Sequence, residues 1–337
     1  MGISLDAGRI IVTGGAGFIG SALIWALNMR GIDDIIVVDR LHADEKWRNL
    51  PPLRFADYAD ADDFEEAILE SPQQFGDVRT IFHLGACSST TEADAAYLMR
   101  NNFEYTKHIA AWALGKDARF LYASSGATYG AREAGLSEDI PLDELRPLNM
   151  YGYSKHLFDQ YAQRRGWLDR LTGLKYFNVF GPNEQHKGDM RSVAHKAFGQ
   201  IRDRGVVRLF RSYRPDYADG EQERDFIYVK DAVDMTLHLA QSDAMGIYNV
   251  GSGTTHTWLE LVRPIFSALR VPEQIEFIDM PISMRDKYQY STKAEIDHLR
   301  ASGYTKPVTP LATAVTDYVS NYLRDDRRLD PAAVLVS

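Results

Sequence analysis

Short apolar runs alternate with segments of helical spacing along most of the chain. The runs that read as strands are Arg9–Val12, Ile35–Asp39, Leu53–Ala56, Thr80–Leu84, Arg119–Ala123, Leu174–Val179, Phe226–Val229 and Ile247–Val250. The segments with helical spacing are Asp62–Glu70, Thr91–Leu114, Tyr151–Arg165 and Asp231–Gln241. Strands that alternate with helices form βαβ units, and helices then cover both faces of a parallel sheet. The pattern therefore predicts an α/β fold with a doubly wound parallel sheet.

The first strand leads into a glycine-rich stretch, Thr13-Gly14-Gly15-Ala16-Gly17-Phe18-Ile19-Gly20, which a helix follows. Such a turn directs backbone N–H groups and the positive end of the helix dipole at a phosphate. Gly14 suits the tight turn, Gly17 lets a pyrophosphate approach, and Gly20 lets the helix lie close to the strand. We therefore predict a dinucleotide site at Gly14, Gly17, Phe18, Ile19 and Gly20, with a plain turn as the alternative.

Asp39 ends the second strand about 20 residues after the loop, where an acidic residue binds the ribose diol of NAD. A basic cluster of Arg40, Lys46 and Arg48 follows and favours the 2′-phosphate of NADP. The two signals conflict. NADP is the expected cofactor, because Asp39 can turn away whereas the three cations have few other targets. NAD stays possible, and so does a basic surface that only faces solvent.

The fourth strand runs into small residues that suit the close passage of a cofactor. Ligands of doubly wound sheets bind at the carboxyl ends of strands, which adds Leu84, Gly85, Ala86, Cys87 and Ser88 to the predicted site. Asp57 and Tyr58 hold the equivalent place after the third run, where an adenine could rest. A plain strand-to-helix turn is the alternative.

The composition excludes several classes of function. Hydrophobic residues make up 45% and charged residues 25% of the chain, as in ordinary globular proteins. The net charge of −9 argues against nucleic-acid binding. No apolar run approaches the length that spans a bilayer, so no membrane segment is predicted. A single cysteine, Cys87, fits a reducing compartment, and a cytoplasmic location is expected. No metal site is predicted.

The rhythm of strands and helices changes after about Asn178. Two long polar loops follow, at 181–189 and 212–222, and such loops are usually functional. The runs at Phe226–Val229 and Ile247–Val250 are expected to rejoin the first sheet. We predict a dinucleotide-binding domain over 1–180 plus about 225–255, and a smaller, discontinuous substrate-binding domain over about 181–224 plus 256–325. Residues 326–337 are predicted to be a poorly ordered tail.

Three residues at one strand end and one helix start form a candidate acid/base group. Ser125 ends the fifth strand, and Tyr151 and Lys155 begin the helix that follows. A tyrosine and a lysine four residues apart share one helix face. The ammonium group is expected to lower the pKa of Tyr151, which would make the phenol a usable acid or base. Ser125 would bind the reacting oxygen, and Lys155 would also hold the nicotinamide ribose.

These motifs resemble the extended short-chain dehydrogenase/reductase superfamily, whose fold is of the Rossmann type. Within it, the chain is similar to the family of nucleotide-sugar epimerases that invert carbon six of an ADP-linked heptose. The stretches that carry the resemblance are His83–Glu92, Tyr122–Tyr129, Asn149–Lys155, Tyr176–Pro182, His186–Met190 and Arg224–Val229. It extends from Arg9 to about Leu323.

The resemblance implies an isomerase that serves lipopolysaccharide core heptose synthesis. Tightly bound NADP would transiently oxidise carbon six of ADP-D-glycero-β-D-manno-heptose, and the hydride would return to the opposite face. Tyr151 and Lys187 match the two acid/base residues, and Asn101 and Val179 match cofactor contacts. The matched substrate positions are Asn178, Asp189, Lys196, Phe210, Arg211, Ser212, Arg224 and Tyr288. Arg224 is the expected diphosphate clamp. The family also suggests a homo-oligomer, and specifically a pentamer.

The chain departs from the family pattern at several positions. Arg40 stands where asparagine is expected, Ala61 where a lysine is, Asp189 where serine is common, and Lys196 where histidine is. The loop 212–222 is longer than in the relatives. A 4-epimerase of the same superfamily is the alternative function. A 4,6-dehydratase would need an acidic pair in place of Gly126-Ala127, and a non-catalytic dinucleotide sensor would convert no substrate.

Overall fold

A computed structural model describes residues 4–285 and 288–333 of the chain. Its main sheet has seven strands, all parallel, in the order β11-β6-β5-β4-β1-β2-β3. These strands are β1 (Arg9–Thr13), β2 (Ile35–Asp39), β3 (Asp57–Asp60), β4 (Val78–His83), β5 (Arg119–Ser125), β6 (Leu171–Tyr176) and β11 (Gly246–Val250). The order in which successive strands are added to the sheet reverses between β1 and β4, and this is the switch point of the Rossmann order. The predicted doubly wound sheet is confirmed.

The α-helices are α1 (Phe18–Asn28), α2 (Ala61–Glu70), α3 (Ala95–Leu98), α4 (Tyr105–Gly115), α5 (Met150–Arg164), α6 (Val193–Arg204), α7 (Val229–Gln241), α8 (Trp258–Leu269), α9 (Ile282–Arg285), α10 (Asp297–Ala301) and α11 (Leu311–Asp317). Two π-helical segments cover Met99–Glu104 and Tyr318–Leu323. Short 3₁₀ segments cover Glu45–Asn49, Gly126–Tyr129, Leu142–Glu144, Trp167–Asp169 and Gln185–Met190. In the described part of the chain, no helix is long and apolar enough to cross a membrane.

Both faces of the main sheet are buried, which explains the uninterrupted apolar runs of its strands. Ile10 and Val12 of β1 point into a core that α1, α6, α7 and α8 share. Ile11, between them, points into a second core formed with α2, α4 and α5. Because side chains alternate along a strand, one short run supplies both cores.

The remaining strands form three small two-stranded sheets. β7 (Asn178–Phe180) pairs in parallel with β10 (Phe226–Tyr228), and β8 (Val207–Phe210) with β13 (Ile275–Ile278). β9 (Glu223–Arg224) runs antiparallel to β12 (His256–Thr257). The β7–β10 pair places Phe226 beside Asn178, two residues after the end of β6. The predicted division into two domains stays a prediction.

Several element predictions are wrong in detail. The third strand is β3 rather than Leu53–Ala56, so Asp57 and Tyr58 lie in the strand and not after it. β10 pairs with β7 and does not join the main sheet. The helix expected over Thr91–Leu114 is α3 and α4 joined by the first π-helical segment.

The expectation of a poorly ordered tail is wrong for residues 326–333. Leu329 is fully buried, and its amide donates to Oδ1 of Asn183 at 2.9 Å. Backbone N–H groups that are buried need such partners, so this bond fixes the end of the chain against the core. Residues 334–337, which the same prediction covered, lie outside the described residues.

Candidate active site

The glycine loop lies at the switch point and leaves space for a phosphate. Gly14 has φ +67°, a conformation that glycine adopts without cost. A Cβ atom on Gly14 would lie 2.6 Å from the Gly85 nitrogen, and one on Gly20 would overlap the Gly14 carbonyl oxygen. The loop after β1, the loop after β4 and α1 therefore touch backbone to backbone. This geometry fits a dinucleotide whose pyrophosphate lies against the start of α1.

Asp39, at the end of β2, is bound on both carboxylate oxygens. Oδ2 accepts from the Ala16 amide at 2.9 Å, which ties the carboxylate to the glycine loop. Oδ1 accepts from the Arg40 amide at 2.8 Å and from Nζ of Lys46 at 3.0 Å. The Asp39 carboxylate therefore does not turn away from the glycine loop. Lys46, one of the cations expected to bind a 2′-phosphate, neutralises this carboxylate instead.

The other cations of the basic cluster also have partners. Arg40 pairs with Asp62 at 2.5 Å and donates to Oδ1 of Asn101 at 2.9 Å. Arg48 pairs with Glu45 at 3.2 Å. The premise that these cations have few other targets is wrong. The structure brings Asn101 next to Arg40, and the place of both residues in a cofactor site stays a prediction.

The loop after β4 is fixed by Asn102, a residue that the sequence analysis missed. Its side chain is buried and accepts from the Cys87 amide at 2.8 Å. It donates to the Cys87 carbonyl and to Oγ of Ser154, each at 3.0 Å. Ser154 in turn donates to the Tyr151 carbonyl oxygen at 2.7 Å. One amide thus connects the predicted cofactor loop to the helix that carries the predicted acid/base residue.

Asn149 caps α5 and so fixes the position of Tyr151. Its Oδ1 accepts from the Gly152 amide at 2.8 Å, which satisfies one of the free N–H groups of the first turn. Burial raises the pKa of Tyr151, and a hydrogen bond with Ser125 opposes that shift. The predicted lowering of this pKa is therefore wrong for the protein alone, where burial shifts the pKa upward.

Lys155 is buried one turn after Tyr151. Its Nζ donates to the Ala123 carbonyl oxygen at 2.9 Å. Burial lowers the pKa of Lys155 to about 8, against the opposing effect of Asp159. The Asp159 carboxylate accepts from the hydroxyls of Tyr122 at 2.9 Å and Ser124 at 2.7 Å. The lysine is thus a desolvated cation at the end of β5, beside the glycine loop.

Lys187 comes from a different segment and lines the same cavity as Tyr151 and Lys155. It lies in the 3₁₀ segment Gln185–Met190, and its amide donates to the Glu184 carbonyl oxygen at 3.0 Å. Its Nζ lies 5.5 Å from the centre of the Phe18 ring. Burial lowers the pKa of Lys187, and the Glu184 carboxylate opposes the shift. A lysine with a lowered pKa supplies more neutral amine, which can accept a proton.

Arg224 projects from β9 between two aromatic rings. Its guanidinium carbon lies 5.5 Å from the Trp258 ring and 5.0 Å from the Tyr288 ring. Nε1 of Trp258 donates to the Tyr288 hydroxyl at 2.8 Å, which fixes the two rings together. Burial lowers the pKa of Arg224, and Tyr288 opposes the shift. A planar cation held this way can bind a phosphate through two hydrogen bonds.

These groups line one cavity of about 540 Å³. The predicted site residues in its lining are Phe18, Ile19, Leu84, Ala86, Cys87, Ser88, Ser125, Tyr151, Lys155, Asn178, Val179, Lys187 and Arg224. The cavity thus extends from the dinucleotide loop past the acid/base residues to the arginine. It brings a tyrosine, two buried lysines and an arginine together around one space.

Comparison with known proteins places this site in a family. The model of the NAD dependent epimerase/dehydratase family matches residues 10–251. The chain is 52% identical, over 315 residues, to the ADP-L-glycero-D-manno-heptose-6-epimerase of Nitratidesulfovibrio vulgaris strain DP4, covering 93% of this chain and 97% of that protein. The chain belongs to the NAD dependent epimerase/dehydratase family. Its resemblance to the heptose epimerases is confirmed, and the chain is an isomerase.

Two solved structures of epimerases share the fold. The crystal structure of the Helicobacter pylori ADP-L-glycero-D-manno-heptose-6-epimerase aligns with a TM-score of 0.77 at 24% identity, covering 94% of this chain and 96% of that one. The Thermus thermophilus UDP-glucose 4-epimerase, solved in complex with NAD, aligns with a TM-score of 0.73 at 25% identity, covering 95% of this chain and all of that one (100%). A nicotinamide dinucleotide is the cofactor of this epimerase family.

Six predicted substrate positions lie outside the lining of the cavity that contains Tyr151 and Lys187: Asp189, Lys196, Phe210, Arg211, Ser212 and Tyr288. Tyr288 still contacts Arg224. Lys196 is exposed, and its Nζ donates to the Asp189 carbonyl oxygen at 2.5 Å. Arg211 pairs with Asp219 at 3.3 Å, next to the end of β8. Nothing in the comparisons tests these positions, so they stay predictions.

The epimerase cavity also has walls that the sequence analysis missed. Trp258, Gln289 and Thr292 line it, and Nε2 of Gln289 donates to the Gly130 carbonyl oxygen at 2.6 Å. A signal was present for Trp258, because the capping box of Thr257 and Glu260 marks a helix start there. Gln289 and Thr292 carry no local pattern of this kind.

Proposed function

We propose that this epimerase interconverts ADP-D-glycero-β-D-manno-heptose and ADP-L-glycero-β-D-manno-heptose by transient oxidation at carbon six, with tightly bound NADP. The observation that carries the proposal is the convergence of Tyr151 and Lys187 on one cavity. The two residues come from separate segments. Inversion through a ketone needs a proton-transfer group for each face of the carbon, and one such group alone would serve a simple dehydrogenase.

The environments of the two residues suit complementary roles. Burial raises the pKa of Tyr151, so its phenol is protonated and ready to donate. Burial lowers the pKa of Lys187, which favours the neutral amine that accepts a proton. At the carbon-six oxygen, one group would accept the hydroxyl proton as the ketone forms, and the other would donate a proton of its own as the inverted alcohol forms. When bound, the dinucleotide supplies the hydride acceptor and donor for these two steps.

The rest of the cavity binds and orients. Arg224, held between Trp258 and Tyr288, is proposed to hold the diphosphate of the substrate. Asn178 is exposed in the cavity, and its Nδ2 donates to the Asp225 carbonyl oxygen at 3.2 Å, which keeps its Oδ1 available to a sugar hydroxyl. Fixing the diphosphate allows the heptose to present either face of carbon six without leaving the enzyme.

The catalytic proposal is tested with Tyr151→Phe and Lys187→Met. Each variant is expected to abolish net epimerisation and to keep the dinucleotide bound, because neither change alters the glycines of the loop. Both epimers are followed by chromatography, and the bound dinucleotide is measured after denaturation. Tyr153→Phe, which changes an exposed tyrosine of the same helix, is the matched control. Near-normal epimerisation by either catalytic variant would remove that residue from the mechanism.

NADP is proposed over NAD because of the charges at the end of β2. Lys46 neutralises the Asp39 carboxylate, so this carboxylate does not repel a 2′-phosphate. Arg40 adds a second cation, and its partner Asp62 is exposed, so a phosphate can replace that partner. We expect Lys46→Ala to weaken NADP binding to the stripped enzyme about tenfold while NAD binding changes less than about twofold. An equal loss for both dinucleotides would contradict the assignment; Lys293→Ala, at an exposed lysine, is the control.

We also propose a cytoplasmic location, a role in making the heptose precursor of the lipopolysaccharide core, and assembly as a homo-oligomer of five copies. The similarity to heptose epimerases supports these three points. Light scattering of the purified protein tests the assembly directly. A mass of about 190 kDa is expected for five chains of 38.1 kDa, and a monomer mass would contradict it.

A further inference from the structure

The loop 212–222 packs against the wall of the cavity and does not extend freely into solvent. Nη1 of Arg214 donates to Oε2 of Glu133 at 2.7 Å, a residue that follows the 3₁₀ segment Gly126–Tyr129. Its guanidinium carbon lies 4.9 Å from the centre of the Tyr290 ring and 5.3 Å from that of Tyr217. Asp216 holds the other side of the same guanidinium, at 2.5 Å. Arg214 thus joins the loop to two other segments, beside the backbone bonds that Gly220 and Gln222 accept from Leu259 and Trp258.

Tyr290 is the point on the wall that the loop holds. Its ring is buried, and each of its polar groups has a partner. The amide donates to Oε1 of Glu133 at 2.8 Å, and the carbonyl oxygen accepts from the Glu223 amide at 2.8 Å. The hydroxyl accepts from the Tyr213 amide at 2.9 Å. Glu133 therefore binds both Arg214 and Tyr290, with one carboxylate oxygen for each.

Tyr290 connects directly to the residues around Arg224. The Glu223 amide that binds Tyr290 belongs to the residue just before Arg224 in β9. The Tyr288 ring, which covers Arg224, lies 5.3 Å from the Tyr290 ring in an edge-to-face arrangement. Between them, Gln289 lines the cavity. A shift of Tyr290 would therefore displace both the backbone that carries the guanidinium and one of the two rings that orient it.

We propose that the loop 212–222 positions Arg224 for the diphosphate of the nucleotide sugar, and that Arg214 is one residue through which it acts. Arg214 is a positioning residue: it contacts Glu133 and Tyr290 and lies outside the cavity lining. Its two carboxylate partners and two aromatic faces need a planar cation, so lysine replaces it poorly. This inference rests on the proposed function in one respect, the binding of a nucleoside diphosphate at Arg224.

The test is a double-mutant cycle on the enzyme with its dinucleotide bound. Titration calorimetry measures the Kd for ADP, used as the probe, in Arg214→Ala, Arg224→Lys and the double variant. We expect Arg214→Ala to weaken ADP binding about tenfold and the double variant to bind no worse than Arg224→Lys alone, because residues in one network are non-additive. Arg214→Lys should recover only part of the loss. Glu221→Gln, at an exposed position of the same loop, should leave Kd unchanged.

Two results would overturn the inference. An unchanged Kd in Arg214→Ala would show that Arg214 does not position Arg224, and a merely structural role would lower the melting temperature without moving Kd. Losses that multiply in the double variant would show that Arg214 acts independently of Arg224. UDP is titrated in parallel: if the unaltered enzyme binds UDP and not ADP, the adenosine part of the proposed function fails, and the same cycle run with UDP still decides the inference. Binding of neither nucleotide would overturn both.

Discussion

Replacing Lys155 by methionine is expected to stabilise the cofactor-free protein at neutral pH while it removes activity. The side chain is 6% exposed, and burial lowers its pKa from 10.5 to about 8. The lowered pKa corresponds to a cost of about 3 kcal/mol for keeping the charge in the folded state. Methionine gives up the hydrogen bond to Ala123, worth about 1 kcal/mol. The expected net gain is about 2 kcal/mol at pH 7.

The pH dependence distinguishes this cause from better packing. Because the pKa of Lys155 is lower in the folded state, the folded protein binds fewer protons than the unfolded chain at intermediate pH. The cost is complete below pH about 8, falls as the pH rises toward 10.5, and is absent above that value. At pH 9.5 the cost is about 1 kcal/mol, so the advantage of methionine nearly disappears.

Urea unfolding of the stripped protein at pH 7 and pH 9.5 measures both quantities. Lys293→Met, at an exposed lysine, is the control, and its effect should be small and independent of pH. A Lys155→Met protein that is less stable than the parent at pH 7 would show that the buried charge of Lys155 does not destabilise the fold. So would a gain of the same size at both pH values, because it would arise from packing and not from the buried charge.

Two further changes test the fold around the site. Gly20→Ala should lower the free energy of unfolding by about 1–3 kcal/mol and release the dinucleotide, because its methyl group overlaps the Gly14 carbonyl oxygen; Gly199→Ala, in the middle of α6 with open space around it, should instead stabilise by about 0.5–1 kcal/mol. Urea unfolding and dinucleotide occupancy decide this, and equal effects at both glycines would contradict it. Leu329→Ala should cost about 2–4 kcal/mol, and a change below about 0.5 kcal/mol would show that the tail is not packed in solution.

Local patterns predicted the parts of the site that lie close together in sequence. The apolar run of β1, the glycine loop and the short spacing from Tyr151 to Lys155 each carry their own signal, because one strand–turn–helix unit holds them. The general shape of the main sheet follows from the same patterns. Ser125 was predicted for a related reason, because ligands bind at the carboxyl ends of the strands of a parallel sheet.

Patterns failed where the deciding interaction comes from elsewhere in the chain. β3 is a polar strand at the edge of the sheet, and it is defined by its backbone pairing with β2, in which Asp57 lies opposite Ile36. The apolar run before it, Leu53–Ala56, forms no strand. Leu329 lies in a charged segment, and its burial and its bond to Asn183 show that it packs against the core. The chain of contacts from Arg214 to Arg224 joins segments far apart in sequence, and no spacing within one segment encodes it.

The charges at the end of β2 show a further limit of the sequence. A run of cations after Asp39 was interpreted as free to bind phosphate, but each of these cations has a carboxylate partner in the fold. Counting charges along a segment cannot show which of them neutralise one another. The preference for NADP therefore rests on the geometry around Lys46 and Asp39 and not on the number of basic residues.

The proposed 6-epimerase activity is tested by incubating the purified native enzyme, without added cofactor, with ADP-D-glycero-β-D-manno-heptose and following both epimers by chromatography. We expect that the L-glycero epimer forms, that the same final ratio is reached from either epimer, and that denaturation releases NADP. UDP-glucose is incubated in parallel. Bound dinucleotide with no conversion of the ADP-heptose, or conversion of UDP-glucose in its place, would contradict the claim.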